Sequence, residues 1–193
     1  MAYDRANRLA TADDHGKAAL WDLAARRQLR TMDAPRSRAE SGSAGFAILT
    51  MAFSADGQTL ATGSENGTLH LWQVTTGQEQ PAIPAHSGWL RDAAYSPDGT
   101  RLATVGRDGT LILWGATTGV RLLTLNPLSG PLNSVAFAPG GRYIATAGED
   151  GTLRVFTLDV KELEALARSR VTRGLEDREC KTFLHLSRCP AEK

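Results

Sequence analysis

The chain has 193 residues and a nearly balanced charge, with 22 Lys and Arg residues against 21 Asp and Glu residues. This balance argues against the broad positive field that non-specific binding to nucleic acid or to an anionic membrane requires. No run approaches 18 apolar residues and no secretion leader precedes the first predicted strand, so no membrane contact and a cytoplasmic location are expected.

The first predicted element is a pair of short apolar segments, residues 9–11 and 20–22, on either side of a polar turn. They match, in degenerate form, a unit that recurs further along the chain. Residue 1 enters this unit too late to supply a whole first strand, so the first sheet is expected to be truncated. Its predicted extent is residues 1–33.

Residues 34–45 come next and are rich in Gly, Ser, Ala and Arg. The spacing from Trp21 to Trp72 is 51 residues, nine more than between later equivalent aromatic residues, and the surplus falls in this segment. This composition predicts a flexible loop inserted at the surface. Docking of an acidic partner on the basic loop is the alternative.

A unit of about 20 residues then recurs three times, and each copy follows the previous one by 42 residues. Each copy has a Gly-containing turn, a strand ending in Ala-Thr, a second turn ending in Gly-Thr and an apolar strand closed by an aromatic residue. Glycine accepts the positive φ of such turns, and the apolar residues between them suit a half-buried sheet. The copies begin at Phe53, Tyr95 and Phe137, and they end at Trp72, Trp114 and Phe156.

This period, with four short strands per unit, predicts an all-β fold, a β-propeller of about four blades. The predicted blades span residues 1–33, 46–80, 88–125 and 132–158. Four blades of this type are too few for a ring of about seven. An open arc, pairing with another copy through an open sheet edge, and a place within a longer protein are therefore all left open, the last being favoured.

The recurring turns and strands resemble the repeats of the WD-repeat family over about four fifths of the chain. The resemblance implies that a His, a Ser or Thr, an Asp and a Trp in each blade are joined by hydrogen bonds. The third blade has all four residues, and this structural tetrad consists of His86, Thr104, Asp108 and Trp114.

The other blades match this tetrad only in part. Ala44 and Asn66 stand for the His and the Asp in the second blade, and Leu128 and Phe156 stand for the His and the Trp in the last. Because Phe has no indole N–H to donate, the network of the last blade is expected to be incomplete. The third blade is accordingly expected to be the most rigid.

From residue 159 the pattern changes, and apolar residues at helical spacing predict a helical extension over residues 159–193. This tail resembles the C-terminal ends of bacterial WD-repeat proteins that are linked to signalling NTPases or kinases. The resemblance implies the sensor or interaction part of a larger signalling protein. No Gly-rich phosphate-binding loop occurs, so nucleotide hydrolysis is not carried over to this chain.

Two groups of residues suggest chemistry, and both have a structural explanation. His86, Thr104 and Asp108 could be taken for a catalytic relay, but the repeat explains them as a turn lock and no nucleophile breaks the repeat. The chain is therefore expected not to be an enzyme and to need no cofactor, although a propeller enzyme with a site at the channel mouth is an alternative.

The second group lies in the tail, where Cys180, His185 and Cys189 offer three ligands, one short of a closed zinc site. No metal is therefore expected. A disulfide between Cys180 and Cys189 is also disfavoured in a reducing compartment.

The resemblance implies a non-catalytic scaffold that binds a protein or peptide through loops on one face. The expected contact residues are Trp89, Arg107, Glu65, Glu149 and His15. Trp89 is the strongest candidate, because large aromatic side chains are enriched at binding hot spots. Packing between blades is the alternative role for Trp89, and completing a larger ring is the alternative role for the chain.

Overall fold

A computed structural model of the chain describes residues 1–33, 47–126, 130–159 and 161. Within these residues, fifteen β-strands form four separate antiparallel sheets, which confirms the predicted all-β propeller architecture of about four blades. The predicted inserted loop, the positions of Ala44 and Leu128, and nearly all of the predicted helical tail lie outside the described residues.

The first sheet has four strands in sequence order. Its first strand has only two residues and pairs with the second through Tyr3 and Leu9. The strands are β1 (Ala2–Tyr3), β2 (Arg8–Ala12), β3 (Lys17–Asp22) and β4 (Arg27–Asp33).

The second sheet repeats this order, but its fourth strand has only two residues and follows the range predicted for this blade. Its strands are β5 (Ile48–Phe53), β6 (Thr59–Ser64), β7 (Thr68–Gln73) and β8 (Ile83–Pro84).

The third sheet has four strands, and the fourth has three strands among the described residues. The third contains β9 (Leu90–Tyr95), β10 (Arg101–Gly106), β11 (Leu111–Gly115) and β12 (Arg121–Leu125). The fourth contains β13 (Leu132–Phe137), β14 (Tyr143–Gly148) and β15 (Leu153–Thr157).

The pairing of β10 with β11 shows how the repeat folds locally. Val105 lies opposite Leu111 and Leu102 lies opposite Trp114, so the two strands run side by side as the hairpin pattern predicts. The connecting turn has Gly109 at φ 75°, a conformation that residues with a Cβ rarely adopt.

The core lies between sheets, where one face of each sheet packs against the opposite face of the next. Burial of these apolar side chains is the main favourable contribution to folding. Between the first and second sheets the cluster contains Ala10, Ala18, Leu20, Met32, Leu60, Trp72 and Val74. Between the second and third it contains Ala61, Leu69, Leu71, Ala85, Leu90, Ala93, Leu102, Ile112 and Trp114.

The chain divides into two compact units, Met1–Phe156 and Thr157–Lys193. The four sheets, except for the last residue of β15, belong to the first unit. In the part of the chain that the structure describes, no helix has the length and apolar character needed to cross a bilayer.

Candidate functional site

One rim of the sheets gathers two kinds of connection: the turn between the second and third strands of a sheet, and the loop that leads into its first strand. We call this the loop rim. In three sheets the two connections are joined directly, because a turn N–H donates to a loop carbonyl. These bonds run from Glu65 to Ala47 (3.0 Å), from Arg107 to Trp89 (2.9 Å) and from Glu149 to Pro131 (2.9 Å).

The structural tetrad of the third sheet forms a continuous hydrogen-bonded chain beneath this rim. The indole Nε1 of Trp114 donates to Oγ1 of Thr104 over 2.9 Å. Nε2 of His86 lies 2.8 Å from the same hydroxyl oxygen, and Nδ1 of His86 lies 3.0 Å from Oδ1 of Asp108. The four residues predicted from the sequence are thus brought together.

Burial fixes the protonation state of His86. Desolvation lowers the pKa of its imidazole below the usual value, although the neighbouring Asp108 carboxylate acts in the opposite direction. The neutral ring therefore donates from Nδ1 to Asp108 and accepts at Nε2 from the Thr104 hydroxyl. The four side chains of the tetrad are therefore joined to one another by hydrogen bonds.

The structural tetrad also holds the loop that carries Trp89. Asp108 also accepts from the backbone N–H of Ser87 over 3.0 Å and from the Thr110 hydroxyl over 2.8 Å. Burial alone would raise the pKa of Asp108, but His86 and the hydrogen bonds from Thr110 outweigh it and the pKa is lowered. The carboxylate therefore stays ionised at neutral pH and tethers the loop to the β10–β11 turn.

Trp89 emerges from this tethered loop with 36% of its surface exposed. The guanidinium carbons of Arg91 and Arg107 lie 5.5 Å and 5.2 Å from the centre of its ring, within the range of cation–π attraction. Arg91 also pairs with Glu149 of the fourth sheet at 2.8 Å. We call Trp89, Arg91, Arg107 and Glu149 the Trp89 cluster.

The cluster contains three of the five predicted contact residues together with Arg91, which was not predicted from the sequence. Arg91 donates to the side chain of Asn133 over 2.5 Å as well. Asn133 follows Arg91 by 42 residues, so this link between sheets joins equivalent repeat positions. The repeat alignment could have suggested it, since equivalent positions of neighbouring blades lie side by side.

Glu65 lies on the neighbouring turn and is half-buried. That turn packs tightly under the loop before β9, because a Cβ on Gly67 (φ 83°) would come within 2.1 Å of the His86 carbonyl oxygen. Only glycine permits so close an approach. Glu65 thus lies on the loop rim, and no ion pair or side-chain hydrogen bond between described residues joins it to the Trp89 cluster.

His15 lies on the β2–β3 turn and is exposed. It pairs with Asp14 at 2.6 Å, and among the described residues no contact joins it to the Trp89 cluster. Asp13, Asp14 and His15 offer ligand atoms within 4.8 Å of one another. Asp13 already accepts from the backbone N–H groups of Lys17 and His15, and the first of these bonds is the main cause of its lowered pKa.

Two further polar pairings, one within a sheet and one between sheets, were not predicted from the sequence. Nδ1 of buried His70 lies 2.6 Å from Oε1 of Glu79, in a sheet that lacks the Asp of the tetrad. The second pairing concerns Asp92 on β9, which accepts from Thr50 on β5 over 3.1 Å and from Ser134 on β13 over 2.8 Å. Asp92 thus joins three sheets through positions that are 42 residues apart.

The fourth sheet shows the incomplete network that the sequence predicts. Oγ1 of Thr146 is buried and has no hydrogen-bond partner among the described residues. In the other three sheets the equivalent threonine accepts from a tryptophan indole, over distances of 2.9 to 3.0 Å. Phe156 supplies no such donor.

Comparison with known families matches three segments of the chain to the WD domain, G-beta repeat, at residues 38–73, 77–115 and 119–157. Together they cover more than half of the chain. An uncharacterised WD repeat-containing protein of the cyanobacterium Nostoc sp. (strain PCC 7120) is 40% identical over 43 residues. This similarity covers 22% of the chain and 3% of that protein.

Proposed function

The chain belongs to the WD-repeat family, and on that premise we propose that it is a non-catalytic scaffold that binds a protein or peptide through the Trp89 cluster. The observation that carries the proposal is an exposed tryptophan on a loop held rigid from beneath. Because the tetrad fixes the loop before a partner arrives, little conformational entropy is lost on binding.

The geometry of Trp89 favours contact with a partner over packing between sheets. Both guanidinium groups at its ring, those of Arg91 and Arg107, come from its own sheet. Tryptophan and arginine are the residue types most enriched at binding hot spots. A partner that covers this ring would remove a large apolar surface from water.

The charges of the cluster favour a partner that places a carboxylate beside an apolar side chain. Glu149 already neutralises Arg91. Arg107 is exposed, and within the described parts of the chain its guanidinium has no ion pair. A carboxylate could form a charge-assisted hydrogen bond with Arg107 while its apolar neighbour covers Trp89.

The test is selection of peptides from a random library displayed on phage, with the full chain immobilised. Selected peptides are then measured against Trp89→Ala, Arg107→Gln and a matched control, Leu122→Ala, whose side chain is exposed on the distant outer strand β12. We expect acidic peptides whose affinity falls about tenfold or more with each cluster variant, as truncation of a hot spot does.

The control variant is expected to bind as the unmodified chain does, and all variants are expected to melt at the unmodified temperature. Equal binding to Trp89→Ala and to the unmodified chain would contradict the proposal. A melting temperature that falls with Trp89→Ala would instead assign the ring to packing.

The proposal extends to the biological setting. The resemblance of the tail to the ends of bacterial signalling proteins supports a role as the interaction part of such a protein in the cytoplasm. Tagging the gene product at its chromosomal locus tests this setting: a larger polypeptide with an NTPase or kinase domain, found in the soluble cell fraction, is the expected result.

A further inference from the structure

The outer face of the fourth sheet exposes apolar side chains that the repeat normally buries. Leu153 and Val155 on β15 are 70% and 60% exposed. The residues at equivalent positions in the second and third sheets are all 4% exposed or less, and they are Leu69, Leu71, Leu111 and Leu113. We call the surface around Leu153 and Val155 the last face.

The first sheet also exposes apolar side chains, on the face that points away from the second sheet. Tyr3 and Leu23 are 59% and 42% exposed. The equivalent residues of the second sheet are covered. Val74 holds the position of Leu23 and is 2% exposed. Phe53 pairs with Leu60 as Tyr3 pairs with Leu9, and it packs against the cluster between the first two sheets. We call the surface around Tyr3 and Leu23 the first face.

The interior junctions show what covers such faces. Between the second and third sheets, Leu69 and Leu71 pack with Leu102 and Trp114. Leu69 and Leu71 hold the positions of Leu153 and Val155 on the last face. Leu102 and Trp114 lie on the face of the third sheet that corresponds to the first face. Each end of the row of sheets is therefore shaped to receive the other end, although in a single chain both remain exposed.

From this complementarity we infer that the last face of one chain docks on the first face of a second copy. The contact is heterologous, because two different surfaces meet, so repeated docking builds either a closed ring or an open filament. It would bury an apolar patch on each copy, and exposed patches of this kind mark interaction sites. The inference does not involve the Trp89 cluster.

The experiment is light scattering coupled to size exclusion on the full chain, over a range of concentrations. The unmodified chain is expected at a multiple of its 20.7 kDa mass. Two variants are each expected at the mass of one chain. The last-face variant carries Leu153→Lys with Val155→Lys, and the first-face variant carries Tyr3→Lys with Leu23→Lys. Leu122→Lys, on exposed β12, is the matched control and is expected to associate normally.

An equimolar mixture of the two face variants is the decisive sample. Each variant retains one intact face, so the mixture is expected to form a species of two chains and no larger one. A mixture that stays at the mass of one chain overturns the inference. So does association that survives both pairs of substitutions.

An unmodified chain that stays single at every concentration also overturns the inference, and it would favour closure within one chain or a blade supplied by a longer protein. Circular dichroism checks that each variant is folded. If a lysine variant is not folded, Leu153→Ala with Val155→Ala and Tyr3→Ala with Leu23→Ala replace it. The alanine variants are expected to associate only at a protein concentration roughly tenfold or more above that at which the unmodified chain associates. Association at the same concentration as the unmodified chain overturns the inference.

Discussion

At the scale of single residues, His86 is held by opposing effects. Burial favours its neutral form, and the carboxylate of Asp108 favours the charged form, with burial prevailing so that the pKa is lowered. In the unfolded chain the imidazole returns to its ordinary pKa of about 6.5. The unfolded chain therefore takes up the proton first as the pH falls, and acid favours unfolding.

This difference predicts a loss of stability as the pH falls from about 6.5 towards 5, above the range in which carboxylates titrate. His86→Gln is expected to be less stable at pH 7 by about 1–3 kcal/mol, because it disrupts buried hydrogen bonds. It is also expected to show a smaller loss between pH 6.5 and 5. The measurement is the free energy of unfolding in urea as a function of pH.

The control for this prediction is His15→Gln, because the side chain of His15 is 68% exposed. It is expected to follow the pH profile of the unmodified chain. A His86→Gln profile parallel to that of the unmodified chain would show that His86 does not cause the loss of stability in this pH range.

At the scale of one sheet, the tetrad position shows what a single donor contributes. In three sheets a tryptophan indole satisfies a buried threonine hydroxyl, whereas Thr146 in the fourth sheet has no partner among the described residues. A buried hydroxyl without a partner costs free energy, because its bond to water has been lost and not replaced.

Phe156→Trp is therefore expected to stabilise the chain by about 1 kcal/mol, by donating an indole N–H to Thr146. The reverse change in the third sheet, Trp114→Phe, is expected to destabilise it by about 1–3 kcal/mol, because Thr104 then loses its donor. Urea unfolding measures both. Phe156→Trp made in a Thr146→Val background should give no gain over Thr146→Val alone, and a gain there would show that packing causes the effect.

The sheets also show what could be read from the sequence. The order of strands and turns in the third blade could be predicted, because turn glycines such as Gly109 and strand residues such as Leu102 carry local conformational preferences. Tyr95 lies where other copies have Phe, and its hydroxyl is buried without a partner in the part of the chain that the structure describes, so a shared position does not imply a shared environment.

The site was less predictable, for a physical reason. Trp89 and Arg107 could be proposed from residue type and turn position. Arg91 and Asp92 were missed because their partners lie on neighbouring sheets, at equivalent repeat positions that only an alignment of the repeats places side by side. Local patterns within one repeat do not show that proximity.

At the scale of the whole molecule, Asp92 connects three sheets with one carboxylate. It accepts from Thr50 on the second sheet, and from the Ser134 hydroxyl and the Val135 backbone N–H on the fourth. Repeat proteins are stabilised by each unit together with its contacts to neighbours, so cooperativity depends on such links. The fourth sheet has an exposed outer face and depends most on its inner neighbour.

Asp92→Ala is accordingly expected to lower the free energy of unfolding by about 2–3 kcal/mol and to uncouple the fourth sheet. All four tryptophans, Trp21, Trp72, Trp89 and Trp114, precede that sheet, so fluorescence reports on the first three sheets while far-UV circular dichroism reports on all four. In the variant, the circular dichroism signal should begin to fall at a lower urea concentration than the fluorescence signal.

In the unmodified chain and in the control Asp56→Ala, the two signals should coincide. Asp56 is exposed, and its carboxylate bonds, to the Ser54 hydroxyl and the Gln58 N–H, stay within one turn. Coincident transitions in Asp92→Ala, even with lowered stability, would show that apolar packing between sheets alone maintains cooperativity. Separate transitions would assign that role to the carboxylate, because the substitution leaves the apolar contacts between the sheets in place.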